Sequence, residues 1–212
     1  GPLLYAPLSN RYGRKPALFI GLGIAVVGMG LSLVALSSHL LWLMSLGRFI
    51  AAIGTSAGLT LGMVILKDTA SAEQARKMYS YIVVIFAFAP AIALAIGGML
   101  AQYVSITAIF VLMPILTLLL AMVVYTIDES YQEKPIPLRI TTIAKGYLSV
   151  LVQPIVMLLI VILSMASAVT YVFNGISPII AITQLHLSAS LFGNLAIIPS
   201  LGLFIGGIIS SR

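Results

Sequence analysis

Cysteine is missing from this chain of 212 residues, so no disulfide framework and no thiolate metal site can be built from it. Charge is scarce as well. Only 8% of the residues are Asp, Glu, Lys or Arg, whereas soluble domains carry about a quarter. That scarcity excludes a water-soluble globular fold, a disordered chain and a coiled coil, and the composition is not that of a collagen. Five acids and two histidines are too few for an ordinary hydrolase or metal centre. The apolar share is 61%, and the mean hydropathy is +1.17. A net charge of +6 does not signal a nucleic-acid partner, because the basic residues are scattered between long apolar runs rather than clustered beside polar surface. The composition is that of an all-α polytopic membrane protein.

A bilayer-crossing helix needs about 20 mostly apolar residues. Six stretches meet that length: Pro16–Leu36, Leu40–Leu66, Met78–Leu100, Val104–Thr126, Val150 to at least Phe173, and Ser188–Ser210. The opening Gly1–Leu8 is apolar but too short, and is expected to be the tail of a further span. The chain is accordingly expected to be part of a longer protein.

Basic residues in short loops mark the cytoplasmic side. Arg11, Arg14 and Lys15 fall in loop 9–15, Lys67, Arg76 and Lys77 in loop 67–77, and Lys134, Arg139 and Lys145 in loop 127–146, while Arg212 ends the chain. The intervening loops, Ser37–His39, Ala101–Tyr103 and Asn174–Leu187, hold no Lys or Arg. All but one of the eleven basic residues therefore lie on one side, which the rule assigns to the cytoplasm. The loop 127–146, with Asp128, Glu129, Glu133, Pro135 and Pro137, is the longest and most polar connection. It reads either as a boundary between two helical bundles or as a plain solvated loop. From Leu138 to Leu151 the sequence becomes amphipathic, as expected of a segment lying along the membrane surface.

In the first loop, Leu8, Asn10, Arg11, Gly13, Arg14 and Lys15 form an ordered pattern. Gly13 suits a turn with positive φ, and Pro16 suits the first turn of the next helix. Arg11 and Arg14 can act as rigid multidentate donors to helix C-termini and carboxylates. The remaining basic residue, Arg48, lies about eight residues into its span, roughly 12 Å from the outer edge at 1.5 Å per residue. An intramembrane arginine costs at least ~2.5 kcal/mol and marks a functional position by default, the alternative being a side chain that snorkels to the interface. Gly54, Gly58 and Gly62 follow at four-residue spacing and are expected to form a smooth packing stripe. Pro90 breaks the backbone bonding of the next span, and Gly97 and Gly98 loosen it further. Asn174, Ser177 and Pro178 interrupt a long apolar segment, and two readings stand: a kink that lines a cavity, or an outer loop. Every acid falls in a cytoplasmic loop and none inside a span.

The first loop resembles the signature G-x-L-x-D-R-x-G-R-[KR] between the second and third helices of major facilitator superfamily transporters, with Ala6 at the usual glycine and Asn10 at the usual aspartate. In that family the loop is a cytoplasmic charge latch, which Asn10 would weaken or rewire. Leu46–Gly54 looks like the fourth-helix motif R-x-x-x-x-x-G, which implies that Arg48 faces the central cavity and takes part in coupling. Ala89, Pro90, Ala93, Gly97 and Gly98 resemble the fifth-helix motif A-P-x-x-A-P-x-x-G-G of the Bcr/CflA drug/proton antiporters, with Leu94 at the second proline. The Ser177–Pro178 element is similar to one in the seventh helix of those pumps, which supports the kink.

The resemblance implies a partial major-facilitator fold with about six complete transmembrane helices and the end of one more. Residues 1–126 would belong to an N-terminal bundle, 127–149 to a central cytoplasmic loop and 150–212 to the start of a C-terminal bundle. It implies a proton-driven exporter of small amphipathic molecules in a bacterial inner membrane. The partners would be the lipid bilayer, a small-molecule substrate, protons and the remaining helices of the full-length chain. No cofactor beyond the proton gradient, no metal, no catalytic residue and no nucleic acid are expected. The proton carrier would lie outside these residues, because no carboxylate falls inside an expected span. An uptake carrier or metabolite exporter of the same superfamily, and a non-transporting scaffold or truncated remnant, are the alternatives.

Overall fold

A computed structural model describes residues 2–131, 140–199 and 201–202. They form α1 (Pro2–Tyr12), α2 (Arg14–Ser38), α3 (Leu41–Thr69), α4 (Ala72–Tyr103), α5 (Ile106–Tyr125), α6 (Ile140–Leu151) and α7 (Pro154–Ile179), then a π-helical turn (Ile180–Gln184) and α8 (Ala189–Leu195). No strand occurs among the described residues. Among the described residues five helices are long and apolar enough to cross a membrane: α2, α3, α4, α5, and α7 continued by its π-turn. They correspond to the first five expected spans. The sixth begins with α8, but its remainder beyond 202 lies outside the described residues.

Two connections differ from expectation. The 67–77 segment is almost all helix, because α3 runs to Thr69 and α4 starts at Ala72. The Ser71 amide donates to Gln74 Oε1 (3.1 Å), and the Gln74 amide donates to Ser71 Oγ (3.4 Å). This reciprocal box satisfies the N-terminus of α4 and lets the chain reverse in two residues. Over Asn174–Leu187, of the two readings, the outer loop gives way to a continuing helix. A proline inside a helix removes one N–H donor, yet the apolar run continues past Pro178, and the wider π-turn absorbs the disturbance.

The chain packs as two compact units, Gly1–Val83 with Val104–Pro137, and Val84–Tyr103 with Leu138–Arg212. In the first unit, Tyr5, Leu18, Leu22, Leu61 and Val124 form the core, with Leu8, Phe19, Ile65 and Ala121 packed against it. The α2–α3 seam is made of small residues. Gly21, Ala25, Gly28 and Ser32 of α2 meet Gly47, Ala51, Gly54 and Ala57 of α3. A β-carbon on Gly28 would run into the Ala51 amide, and one on Gly54 into the Ala25 amide, so the backbones touch. In lipid, where burial gives helices little drive to associate, such close approach supplies the dispersion that holds them.

The glycine stripe expected in α3 does not hold as one face. Gly54 is in the seam, whereas a β-carbon on Gly58 or Gly62 would meet nothing within 4 Å. Four residues turn a helix about 40° past a full revolution, so the second step carries Gly62 well away from α2. The seam instead runs in steps of four, three and three: Gly47, Ala51, Gly54, Ala57.

In the second unit, α8 sits on α4 through two glycines. A β-carbon on Gly98 would strike the Ala189 carbonyl, and one on Gly193 would come 2.9 Å from Ala95 Cα. Gln102 Oε1 accepts from the Ser190 amide at 3.0 Å. A short helix, α6, forms within the segment expected to be amphipathic, and Leu138 and Arg139 lie outside the described residues.

Candidate functional site

Gly13 separates α1 from α2 with φ +98°, and its amide donates to the Ser9 carbonyl at 3.0 Å. The turn folds Arg14 back over the end of α1. Arg14 Nη1 donates to Ser9 Oγ (2.8 Å) and Asn10 Oδ1 (2.6 Å). Its Nε donates to Asp68 Oδ2 on α3 at 2.9 Å, closing an ion pair, and the guanidinium lies 4.7 Å from the centre of the Tyr131 ring. One planar fork thus holds groups from α1, α3 and the segment after α5, a geometry that a lysine could not reproduce.

The start of α2 lacks a capping side chain, since the position is glycine. Glu129 supplies the acceptor from the far end of the unit. Its Oε1 accepts from the Arg14 amide (2.8 Å) and its Oε2 from the Lys15 amide (3.0 Å). A carboxylate there satisfies two orphan donors and meets the positive end of the helix dipole. Lys15 Nζ donates to the Tyr125 carbonyl at 2.8 Å, at the C-terminus of α5, where a cation is favoured.

Asn10, Gly13, Arg14 and Lys15 therefore come together. Leu8 packs against the core, and Arg11 is exposed, 5.3 Å from the Tyr12 ring. The carboxylates come from Asp68 and Glu129, and Asn10 serves as a neutral acceptor. In the sequence both acids fall in expected loops, with nothing to mark a partner for either. The usable signal was Gly13, because a helix start with no capping side chain implies an acceptor from elsewhere.

Gly13 is needed twice, for its φ and for space, since a β-carbon would lie 2.7 Å from Glu129 Oε2. Gly13→Ala is expected to cost about 1–3 kcal/mol for a backbone of positive φ and extended ψ that is essentially reserved for glycine, plus ~1 kcal/mol for the displaced cap. A lower thermal midpoint of the purified full-length protein would report it. The Gly13→Ala, Glu129→Ala pair should cost less than the sum of the two changes.

The second unit encloses a cavity of about 520 Å³. Phe86, Pro90, Ala91 and Leu94 line it from α4, and Phe192 and Leu195 from α8. Thr170, Asn174 and Ser177 line it from one face of α7, with Phe173 beside them. Aromatic and aliphatic walls with three polar side chains suit a small amphipathic ligand. Pro90 and Pro178 each lack the N–H that would bond the carbonyl four residues earlier, and those carbonyls belong to Phe86 and Asn174, both at this cavity. Of the fifth-helix motif, Pro90 lines the cavity and Gly98 seats α8, whereas a β-carbon on Gly97 meets nothing within 4 Å. Ala89, Ala93 and Pro178 are not lining residues.

Arg48 does not line this cavity. It is exposed, with Nη1 3.5 Å from Met113 Sδ and the guanidinium 5.4 Å from the centre of the Phe110 ring, both on α5.

The family model for the Major Facilitator Superfamily matches residues 1–212. The chain belongs to that superfamily. Among curated relatives it is 31% identical over 150 residues to a bicyclomycin resistance protein homolog of Haemophilus influenzae, covering 70% of this chain and 37% of that protein. It is 27% identical over 211 residues to an uncharacterized transporter of Rickettsia felis, covering 99% of this chain and 51% of that protein. A chloramphenicol resistance protein of Pseudomonas aeruginosa is 33% identical over 112 residues, covering 52% of this chain and 26% of that protein. The chain thus spans about half the length, or less, of the relatives it matches. It is a major facilitator chain, integral to the membrane, of a transporter family rather than an enzyme family.

Proposed function

We propose that the protein exports small amphipathic molecules across a bacterial inner membrane, driven by the proton gradient and working by alternating access. The cavity between α4, α7 and α8 carries this reading. Its aromatic walls and sparse polar groups suit drug-like substrates, and two relatives are named for resistance to bicyclomycin and chloramphenicol. In this reading Asn174, Ser177 and Pro90 shape the binding region, Arg48 is the polar anchor of the transport path, and the cluster around Arg14 holds the cytoplasmic ends of the first unit together. The acids of the span helices, Asp68 and Glu73, sit in the last turn of α3 and the first turn of α4, away from the middle of the membrane, so in this reading the proton carrier belongs to another part of the protein.

The test is dye efflux by the full-length protein in cells stripped of their own exporters. An amphipathic cationic dye should be expelled, expulsion should stop when a protonophore collapses the gradient, and Ser177→Trp, which fills the cavity, should slow it. Unchanged dye retention, or efflux indifferent to the protonophore, would sink the proposal.

A further inference from the structure

A second cavity lies wholly within the first unit, at the cytoplasmic end of α3 and the start of α4, with a volume of about 610 Å³. The two helices leave the Ala70–Ser71 turn and pack only sparsely on one another, which opens a groove between them. Its lining is graded along the helix axes. At the turn are Thr69, Ala70 and Gln74, one turn deeper are Ile65, Leu66, Lys77 and Met78, and deepest are Gly62 and Tyr81. From Ala70 to Gly62 the groove descends about 12 Å at 1.5 Å per residue, close to the roughly 15 Å of hydrocarbon in one leaflet. Polar groups at headgroup level over an apolar trough of leaflet depth match a phospholipid, with its headgroup above and an acyl chain below.

The charge selects the kind of phospholipid. Arg14–Asp68 is the one ion pair among the described residues, which leaves Lys67, Arg76 and Lys77 unpaired there. Asp68 is engaged by Arg14, and Glu73 does not line the groove. Of these three cations Lys77 lines the groove, and no acid is among its lining residues. Lysine stems lie along apolar surface and carry the charge out to the interface. Basic pockets at this level attract anionic headgroups. Among the described residues the floor is also open, since a β-carbon on Gly62 would meet none of them within 4 Å.

We propose that this groove binds one anionic phospholipid of the cytoplasmic leaflet, its phosphate at Lys77 and Gln74 and one acyl chain along Gly62, Leu66 and Met78. The proposal rests on the sidedness of the basic loops and stands independently of which substrate is transported.

Native mass spectrometry of the full-length protein, titrated with phosphatidylglycerol or phosphatidylcholine, tests it. Phosphatidylglycerol should be retained at one more site than phosphatidylcholine. Lys77→Ala should weaken that site about fivefold, the effect of one interfacial lysine, and Lys77→Arg should restore it. Gly62→Leu, which fills the trough without touching the backbone, should abolish the site while leaving the charge in place. Equal retention of the two lipids, unchanged phosphatidylglycerol binding in both Lys77→Ala and Gly62→Leu, or glycerol phosphate competing as strongly as the intact lipid would each overturn it.

Discussion

Arg48→Ala in the full-length protein is expected to abolish efflux while leaving membrane insertion intact. Arginine stays charged at any working pH, and holding it within a span costs at least ~2.5 kcal/mol. In the structure its partners are soft. The Met113 sulfur is a weak acceptor at 3.5 Å, and the Phe110 ring at 5.4 Å offers a cation–π contact worth about 0.5–2 kcal/mol. Among the described residues no carboxylate pairs with it. A charge so poorly compensated does not stabilise the fold, so alanine should insert at least as well as arginine. That asymmetry separates a working residue from a structural one. Whole-cell dye efflux measured beside the protein content of the membrane fraction reads both. Full efflux from the alanine variant would return Arg48 to snorkelling. Arg48→Lys keeps the charge but loses the flat guanidinium over Phe110, and should recover only part of the activity.

Gly54→Leu is expected to destabilise the first unit by about 3 kcal/mol, near the upper end for overpacking, and Gly58→Leu to have almost no effect. At Gly54 even a β-carbon overlaps the Ala25 amide, which is backbone and cannot swing aside. The two helices would have to separate along the whole seam, losing contacts at Gly28 and Gly47 as well. The fraction of monodisperse protein and its thermal midpoint in detergent should both fall. Equal behaviour of the two leucine variants would mean that the seam contributes little.

Along-chain features were legible in the sequence, because length, hydropathy and the one-sided Lys and Arg follow local rules. Gly13 could be read as a turn, and the α2–α3 connection Ser37–His39 as short. What resisted reading depends on geometry between distant residues. Glu129 and Asp68 are ordinary loop acids until α3 and α5 bring them to Arg14. The glycines of α3 look equivalent at four-residue spacing, and only the 40° drift per step and the position of α2 separate Gly54 from Gly58 and Gly62. At Asn174–Pro178, polar residues and proline signal an interruption, yet the apolar residues that follow keep the backbone helical. That outcome turned on the continuing run rather than on the break itself. The cavity beside it joins α4 to α7, residues about 80 positions apart, and no pattern within either helix reveals the other.

The cap on α2 also sets an order of assembly. Ser9 and Asn10 leave the ribosome just before Arg14, and Asp68 follows 54 residues later. Glu129 is 115 residues beyond Arg14. At a synthesis rate of about 5–20 residues per second, that interval lasts roughly 6–23 s. During it the Arg14 and Lys15 amides must be held by water. The α2–α3 pair can form early, but the ring of contacts that ties α1, α2, α3 and α5 closes only when the last of them has been made. Glu129 is thus a late-arriving fastener, and a ribosome stalled before it should leave α2 with a protease-sensitive start.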